Sequence, residues 1–455
     1  MKKSKSHIKR LKTGKLERRL SLAGVGVKTG ARATTQLWGG LLKSKDKRQA
    51  HRREVLANNA SQLADDLGKL KGGVVKVGQV MALYGDYVLP DEVALAFRKL
   101  EEQTHPVHWD VIEEVLAEEL DDAHRQKLQI DTHPLGAASL SQVHKATLDG
   151  VPLCLKVQYP GVADAIDTDL DAVTQMLKVA RLIKMGDEFE DWLGEVRRVL
   201  HQEVDYELEA SAMRRFAERL KGDPMLRVPR VYEDWSSPRV LVQSFESGYA
   251  FNSPEVQALS QARRNRLAEA FLHLFFKEVF DWHEMQTDPN FGNYRVQIDP
   301  EGEDDKLVLL DFGAVCSYPE AFFEPLKTMI RGAFQKDREQ VIAGILGMSL
   351  LRRDSSRNAQ ERFSTLLLQI IEPLNYHPDD LPEGALNEQG DYRWAHSGLP
   401  KRAAKVGAKQ AMTTDFEMPP KEFAFISRKL LGVYNVMTTL DAELSPPQWL
   451  ADYLH

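Results

Sequence analysis

Between Asn58 and Leu83 the apolar residues Leu63, Leu67, Leu70, Val74, Val77 and Met81 recur at alternating steps of three and four, the period of a helix with one buried face. Pro90 suits the first turn of a second helix over Asp91–Leu100, and Asp110–Leu120 reads as a third. Their apolar faces are modest, so surface helices with acidic outer sides are expected. The period then changes. Leu140–Thr147 and Val151–Val157 read as strands joined by Asp149-Gly150, a strong two-residue hairpin signal. A long charged helix is predicted around Glu203–Ala210, with strands at Arg227–Val231 and Arg239–Gln243. Further on, an apolar helix at Ala268–Phe280 precedes a strand at Leu307–Leu310, and helices follow at Pro325–Phe334 and Glu339–Leu351. Residues 376–420, rich in Pro, Gly and Asp, read as irregular, and a last helix covers Phe423–Met437. The predicted class is α+β.

Composition adds a polarity along the chain. The 455 residues are 43% hydrophobic and 28% charged, as in a globular protein with ample core. The net charge of −7 hides an asymmetry: residues 1–53 carry +15, leaving −22 on the rest. A basic head argues for an anionic partner, and its Leu20–Leu42 stretch, with Trp38, suits a membrane interface or packing on the body. Nucleic acid is not expected, because residues 1–37 hold no aromatic ring to stack on bases. Two cysteines, Cys154 and Cys316, give neither a disulfide framework nor metal spacing. No apolar run is long enough to span a bilayer, and a cytoplasmic location, peripheral on the inner membrane, is expected.

The candidate chemistry is concentrated in Met285-Gln286-Thr287-Asp288-Pro289-Asn290-Phe291-Gly292-Asn293 and the later Asp311-Phe312-Gly313. An Asp and an Asn five apart, then an apolar strand ending in Asp-Phe-Gly, is the spacing of kinase phosphoryl-transfer sites. Asn293 and Asp311 suit Mg²⁺, which takes oxygen ligands alongside phosphates, and Asp288 suits the base. Upstream, the small-residue loop Gly136-Ala137-Ala138-Ser139 would let backbone N–H groups approach phosphate oxygens, and Lys156 would supply a cation to them. A lysine turned into a low-dielectric site needs a carboxylate partner. Glu203 is the first choice and Glu209 the second. Ser244-Phe245-Glu246 reads as the hinge between lobes, where Ser244 and Glu246 would meet an adenine. Lys76-Val77-Gly78-Gln79 sits in the first helix after Gly72-Gly73; glycine there costs about 1 kcal/mol each. Either a close approach or helix packing would explain it.

Taken together and in this order, these motifs resemble the UbiB/ADCK family of atypical, protein-kinase-like proteins over most of the chain, in its coenzyme Q-supporting branch. The resemblance implies a two-lobed kinase-like fold with an N-terminal helical extension packed over the nucleotide cleft. Lys76 and Gln79 would then occupy the space where a protein kinase binds its peptide, and both count among the catalytic candidates with Asp288. Ala137 and Ala138 would replace lid glycines. Gly136 stands where the family usually has Ala, and Gln286 where many members have His. Binding of ATP or ADP with Mg²⁺ is implied, with weak or absent protein kinase activity and support of quinone lipid biosynthesis through an ATPase-like cycle. Anionic membrane, a quinone-type lipid and quinone-biosynthesis proteins are the implied partners. The expected divisions are 1–57 (basic head), 58–132 (helical extension), 133–246 (N-lobe) and 247–455 (C-lobe). Two alternatives stand beside the ATPase: a phosphotransferase on a protein or small molecule, and a nucleotide-gated lipid-binding scaffold without turnover.

Overall fold

The computed structural model describes residues 45–70, 73–85, 88–102, 106–180, 182–183, 186–403, 420–446 and 448–453. The expected membrane-contact stretch, Leu20–Leu42, and Gly72 lie outside the described residues. The chain forms two compact units. The first runs to Arg214 and takes in Arg230–Phe245; the second comprises Arg215–Pro229 and the chain from Glu246 onward.

In the first unit, the helical period expected over Asn58–Leu83 is carried by two helices, α1 (Lys45–Leu70) and α2 (Gly73–Tyr84). Leu63, Leu67, Val74, Val77 and Met81 are buried in one cluster with α3 (Asp91–Arg98), α6 (Val162–Val179) and α7 (Asp187–Gln202). Gly78 is explained by packing, for a Cβ on it would lie 2.4 Å from Leu100 Cδ1 in the 3₁₀ turn after α3. Residues Trp109–Glu119 form α4, which starts on His108 and is followed by α5 (Asp122–Lys127).

A second cluster lies under an antiparallel sheet ordered β1-β2-β3-β5, formed by Leu128–Ala137, Ser141–Leu148, Val151–Gln158 and Val240–Ser244. Asp149 and Gly150 both have positive φ (51° and 83°), as a two-residue primed turn requires, so the Asp-Gly signal was accurate. Alternation then sorts β3: Leu153, Leu155 and Val157 are fully buried against α4, which places Cys154 and Lys156 on the other face.

The helix expected through Glu203–Ala210 is interrupted. After α7 ends at Gln202, α8 (Tyr206–Arg219) begins afresh, because the Asp205 carboxylate accepts the Leu208 N–H at 2.9 Å and caps the new helix. Glu203 and Glu209 therefore belong to different elements.

In the second unit, β4 is only Leu226–Arg227, shorter than expected because Pro229, two residues on, has no N–H for a ladder. It runs parallel to β8 (Lys306–Leu309), which pairs antiparallel with β7 (Tyr294–Gln297). Helix α9 (Pro254–Gln257) leads to α10 (Gln261–Phe276), which widens into a π turn over Lys277–Asp281 rather than continuing as α-helix to Phe280. Strand β6 (Glu284–Gln286) pairs with β9 (Val315–Ser317). Helices α11 (Glu320–Phe334), α12 (Arg338–Gly347) and α13 (Arg357–Ile371) follow; α13, capped by Ser356, was not expected. The stretch expected to be irregular contains β10 (Tyr392–Arg393), paired with β11 (Glu443–Leu444) beyond the last helix, α14 (Lys421–Thr439). Tyr392 and Trp394 are buried there, ordered by contacts that no local pattern could reveal.

Candidate active site

The outward face of β3 presents Lys156 to α8. Its Nζ donates to both Glu209 carboxylate oxygens, at 2.8 and 2.9 Å, and lies 5.2 Å from the centre of the Tyr206 ring. Glu209 is 2% exposed and the Lys156 side chain 20%, so the carboxylate is sealed while water reaches part of the lysine side chain. The first choice of partner, Glu203, is corrected: the cap at Asp205 restarts the helix and turns Glu209 toward the sheet. Glu203 instead accepts from Lys76 Nζ at 2.6 Å. Gln79, one turn after Lys76 on α2, donates to Leu100 O at 3.1 Å and accepts from Ser139 Oγ at 3.2 Å. Lys76 and Gln79 thus tie α2 to the turn before α8 and to the small-residue loop.

That loop is shorter than expected. Gly136 and Ala137 still pair with Val143 and Gln142 as the end of β1, and the Ala138 N–H donates to Ser141 O at 2.8 Å. A Cβ on Gly136 would meet nothing within 4 Å, so space does not demand glycine there. At the expected hinge, the Ser244 N–H donates to Arg230 O at 2.8 Å and its Oγ accepts the Arg230 N–H at 3.0 Å. Ser244 belongs to the first unit, which ends at Phe245, whereas Glu246 belongs to the second, where it accepts from Gln297 Nε2 at 3.0 Å.

In the second unit, the pairing of β7 with β8 brings two candidates to one end of the ladder. Asn293 immediately precedes β7, Asp311 closely follows β8, and the Leu310 N–H donates to Asn293 O at 2.9 Å. The Gly313 N–H donates to Asp311 Oδ1 at 2.9 Å, while Phe312 is buried edge-to-face on Phe216, ring centres 5.0 Å apart. The Thr287 N–H and Oγ1 both donate to Ala314 O, at 2.8 and 2.9 Å, fastening the Gln286-Thr287-Asp288 stretch beside the Asp311 turn. Asp288 Oδ2 accepts from Asn293 Nδ2 at 2.9 Å. With its nitrogen committed there, Asn293 has its side-chain oxygen for a hard cation. Among the described residues no group of three or more His, Cys, Asp or Glu could hold a metal unaided. A magnesium ion shared with phosphates and water needs only one or two protein carboxylates.

The ABC1 atypical kinase-like domain matches residues 99–344, more than half of the chain. This chain belongs to the ABC1 atypical kinase-like family. It is 30% identical over 393 residues to the protein named "Atypical kinase coq-8, mitochondrial" of Caenorhabditis elegans, covering 85% of this chain and 50% of that one. Against "Atypical kinase COQ8B, mitochondrial" of Danio rerio identity is 32%, with 62% of this chain and 45% of the relative covered. Against "Atypical kinase COQ8, mitochondrial" of Saccharomyces cerevisiae it is 27%, with 93% and 79% covered. The chain thus spans about half the length of the first two relatives. A solved structure, the complex of Rv3197 with erythromycin from Mycobacterium tuberculosis, superposes with a TM-score of 0.60 at 27% identity, covering 89% of this chain and 96% of that one. The kinase-like fold expected from the motifs is therefore the fold of this chain.

In this ABC1 chain the sequence reading missed residues that lie beyond the matched region, on α14. Arg428 donates to Asp288 Oδ1 at 3.0 Å. Lys429, 1% exposed, lies 3.2 Å from Glu278 Oε2, a contact of charge, and donates to Gln286 Oε1 and the Tyr294 hydroxyl, both at 3.2 Å. Gln286 Oε1 also accepts from the Tyr294 hydroxyl at 2.9 Å, and Gln286 Nε2 donates to the Asp288 backbone oxygen at 2.8 Å. Burial pushes the Tyr294 hydroxyl well above its ordinary range, helped by the charges of Glu278, Asp288 and Asp311, so it stays a donor. Burial also pushes Glu278 up, against the opposing pull of Lys429. An adjacent Arg-Lys pair between the apolar stretches Phe423–Ile426 and Leu430–Val433 was the signal in the sequence that could have flagged α14.

Proposed function

We propose that this chain is an atypical kinase or ATPase that binds ATP or ADP with Mg²⁺ and supports quinone lipid biosynthesis. The observation that carries the reading is the pairing of Lys156 with Glu209 on a kinase-like fold whose second unit holds Asp288 against Asn293, with Asp311 beside it. Lys156, its side chain 20% exposed, would meet phosphate oxygens, and Glu209 holds it in place. Asn293 and Asp311 would hold Mg²⁺, which neutralises charge on the phosphates when bound. Asp288 would orient or deprotonate the attacking group. Lys76 and Gln79 would restrict the acceptor, since both are engaged by the first unit's own groups.

The resemblance supplies the quinone purpose, and relatives named as COQ8 atypical kinases support it. The three relatives named above are called mitochondrial, and another, from Arabidopsis thaliana, chloroplastic, so these relatives lend no weight to a cytoplasmic location. Among the described residues no helix is long and apolar enough to cross a membrane. Membrane contact would fall to the +15 head, read from the sequence.

The test is phosphate release from ATP with Mg²⁺, with and without anionic liposomes. Release that liposomes stimulate and Asp311→Asn abolishes is expected. Nucleotide binding without release in either protein would leave the scaffold reading instead.

A further inference from the structure

The sequence motifs account for Asp288, Asn293 and Asp311 but not for what holds Asp288 in place. Its carboxylate is 35% exposed and begins an irregular Asp-Pro-Asn stretch, where Asn293 alone could not fix it. Asn293 Nδ2 also donates to the Asp288 backbone oxygen at 3.2 Å, and the remaining support traces to α14. Arg428 takes the second carboxylate oxygen. Lys429, its neighbour, acts one step further back: together with Tyr294 it occupies Gln286 Oε1, which leaves the Gln286 amide nitrogen facing the Asp288 backbone oxygen. Lys429 is itself held by Glu278 in the π turn. Gly432, one helical turn after Arg428, brings the helix backbone against the next residue of the loop, for a Cβ there would lie 2.0 Å from Pro289 Cβ.

We infer that Arg428 and Lys429 are positioning residues for Asp288, the first holding its carboxylate and the second its backbone oxygen by way of Gln286. The inference rests on the reading of Asp288 as the reacting carboxylate. It makes α14 part of the catalytic machinery rather than a distant element of the core. A carboxylate held at both ends has one orientation to offer, and displacement of such a group by about 1 Å costs on the order of 100-fold in rate.

The experiment uses the full chain. Arg428→Gln is expected to lower kcat at least about tenfold with KM for ATP within about twofold, and Arg428→Lys to recover part of the loss. In an Asp288→Asn background, Arg428→Gln is expected to add less than about twofold, since what it positions is gone. Because Lys429→Met alone strips a buried glutamate of its partner, the Lys429→Met/Glu278→Gln pair is used, with the same loss in kcat expected. A KM that rises in step with the lost kcat, or penalties that multiply with Asp288→Asn, overturns the inference. A crystal structure of Arg428→Gln with Mg²⁺ and ADP decides it without turnover. Asp288 moved off Asn293 Nδ2, 2.9 Å away in the native protein, supports the inference, and an unmoved Asp288 overturns it. Absence of phosphate release by the native protein would defeat the proposed function alone, leaving the crystallographic comparison to judge the clamp.

Discussion

Each unit contains a lysine–glutamate pair, and the two pairs do opposite things. Lys156–Glu209 in the first unit has a sealed carboxylate and a lysine side chain 20% exposed. Glu278–Lys429 in the second has both partners at 1%. A lysine whose side chain solvent reaches is accessible to a ligand oxygen while it keeps its carboxylate. Lys429 donates to Gln286 and Tyr294 and lies 3.2 Å from Glu278 Oε2, all protein groups in a space closed to water. Such a pair fixes a conformation, and burying it costs desolvation of both charges. The same residue types at similar distances are thus a proposed phosphate contact in one place and a structural pin in the other. Exposure separates them.

The sharpest break of this comparison is Lys429→Met. It should cost about 3–5 kcal/mol in denaturant unfolding by leaving Glu278 charged and unpaired, and Lys429→Met/Glu278→Gln should recover much of that. A double variant as unstable as the single would show that the pair's charge is not what matters. Lys156→Met should cost a similar amount, about 3–5 kcal/mol, because it too leaves a sealed carboxylate, that of Glu209, without its cation. It should also weaken Mg²⁺–ADP binding by on the order of tenfold or more, read by nucleotide titration. Unchanged affinity would place Lys156 with Lys429 as a structural pin. The third glutamate–lysine contact, Glu203–Lys76, is exposed at 27% and 19%, and Glu203→Gln should cost no more than about 1 kcal/mol.

A smaller effect concerns acid. Burial pushes Glu284 up, but hydrogen bonds and charge from Arg215 and Arg219 outweigh it and hold the carboxyl below its usual range. Asp305 is held down in the same way by Arg263, against its burial. A folded pKa below the unfolded one contributes stability that is present above the ordinary carboxylate range and is lost as pH falls through the folded value. Melting temperature should therefore fall on acidification below about pH 4, the ordinary carboxylate range, and Glu284→Gln should flatten that limb. An unaltered limb would assign acid sensitivity elsewhere.

Much of this was legible beforehand because it was local. Asp149-Gly150 specified its turn by backbone conformation, and alternation in Leu153–Val157 specified which way Lys156 faces. The Asp288, Asn293 and Asp311 spacing pointed to one constellation, and β7 and β8 bring the last two together. The choice between Glu203 and Glu209 was not legible, because it turned on a single cap at Asp205 within a run of acids. Residues 376–420 read as irregular because Tyr392 gains its order from a strand some fifty residues later.

By itself, then, the sequence determined the fold class, the family and the residue types that chemistry requires, because periodicity, turn residues and motif spacing act over a few residues. Only the tertiary structure decided which carboxylate meets Lys156, why Gly78 is small, and that α14 reaches back 140 residues to Asp288. Those outcomes depend on burial and on packing between segments far apart in the chain, and a charge's role follows from who else is buried with it.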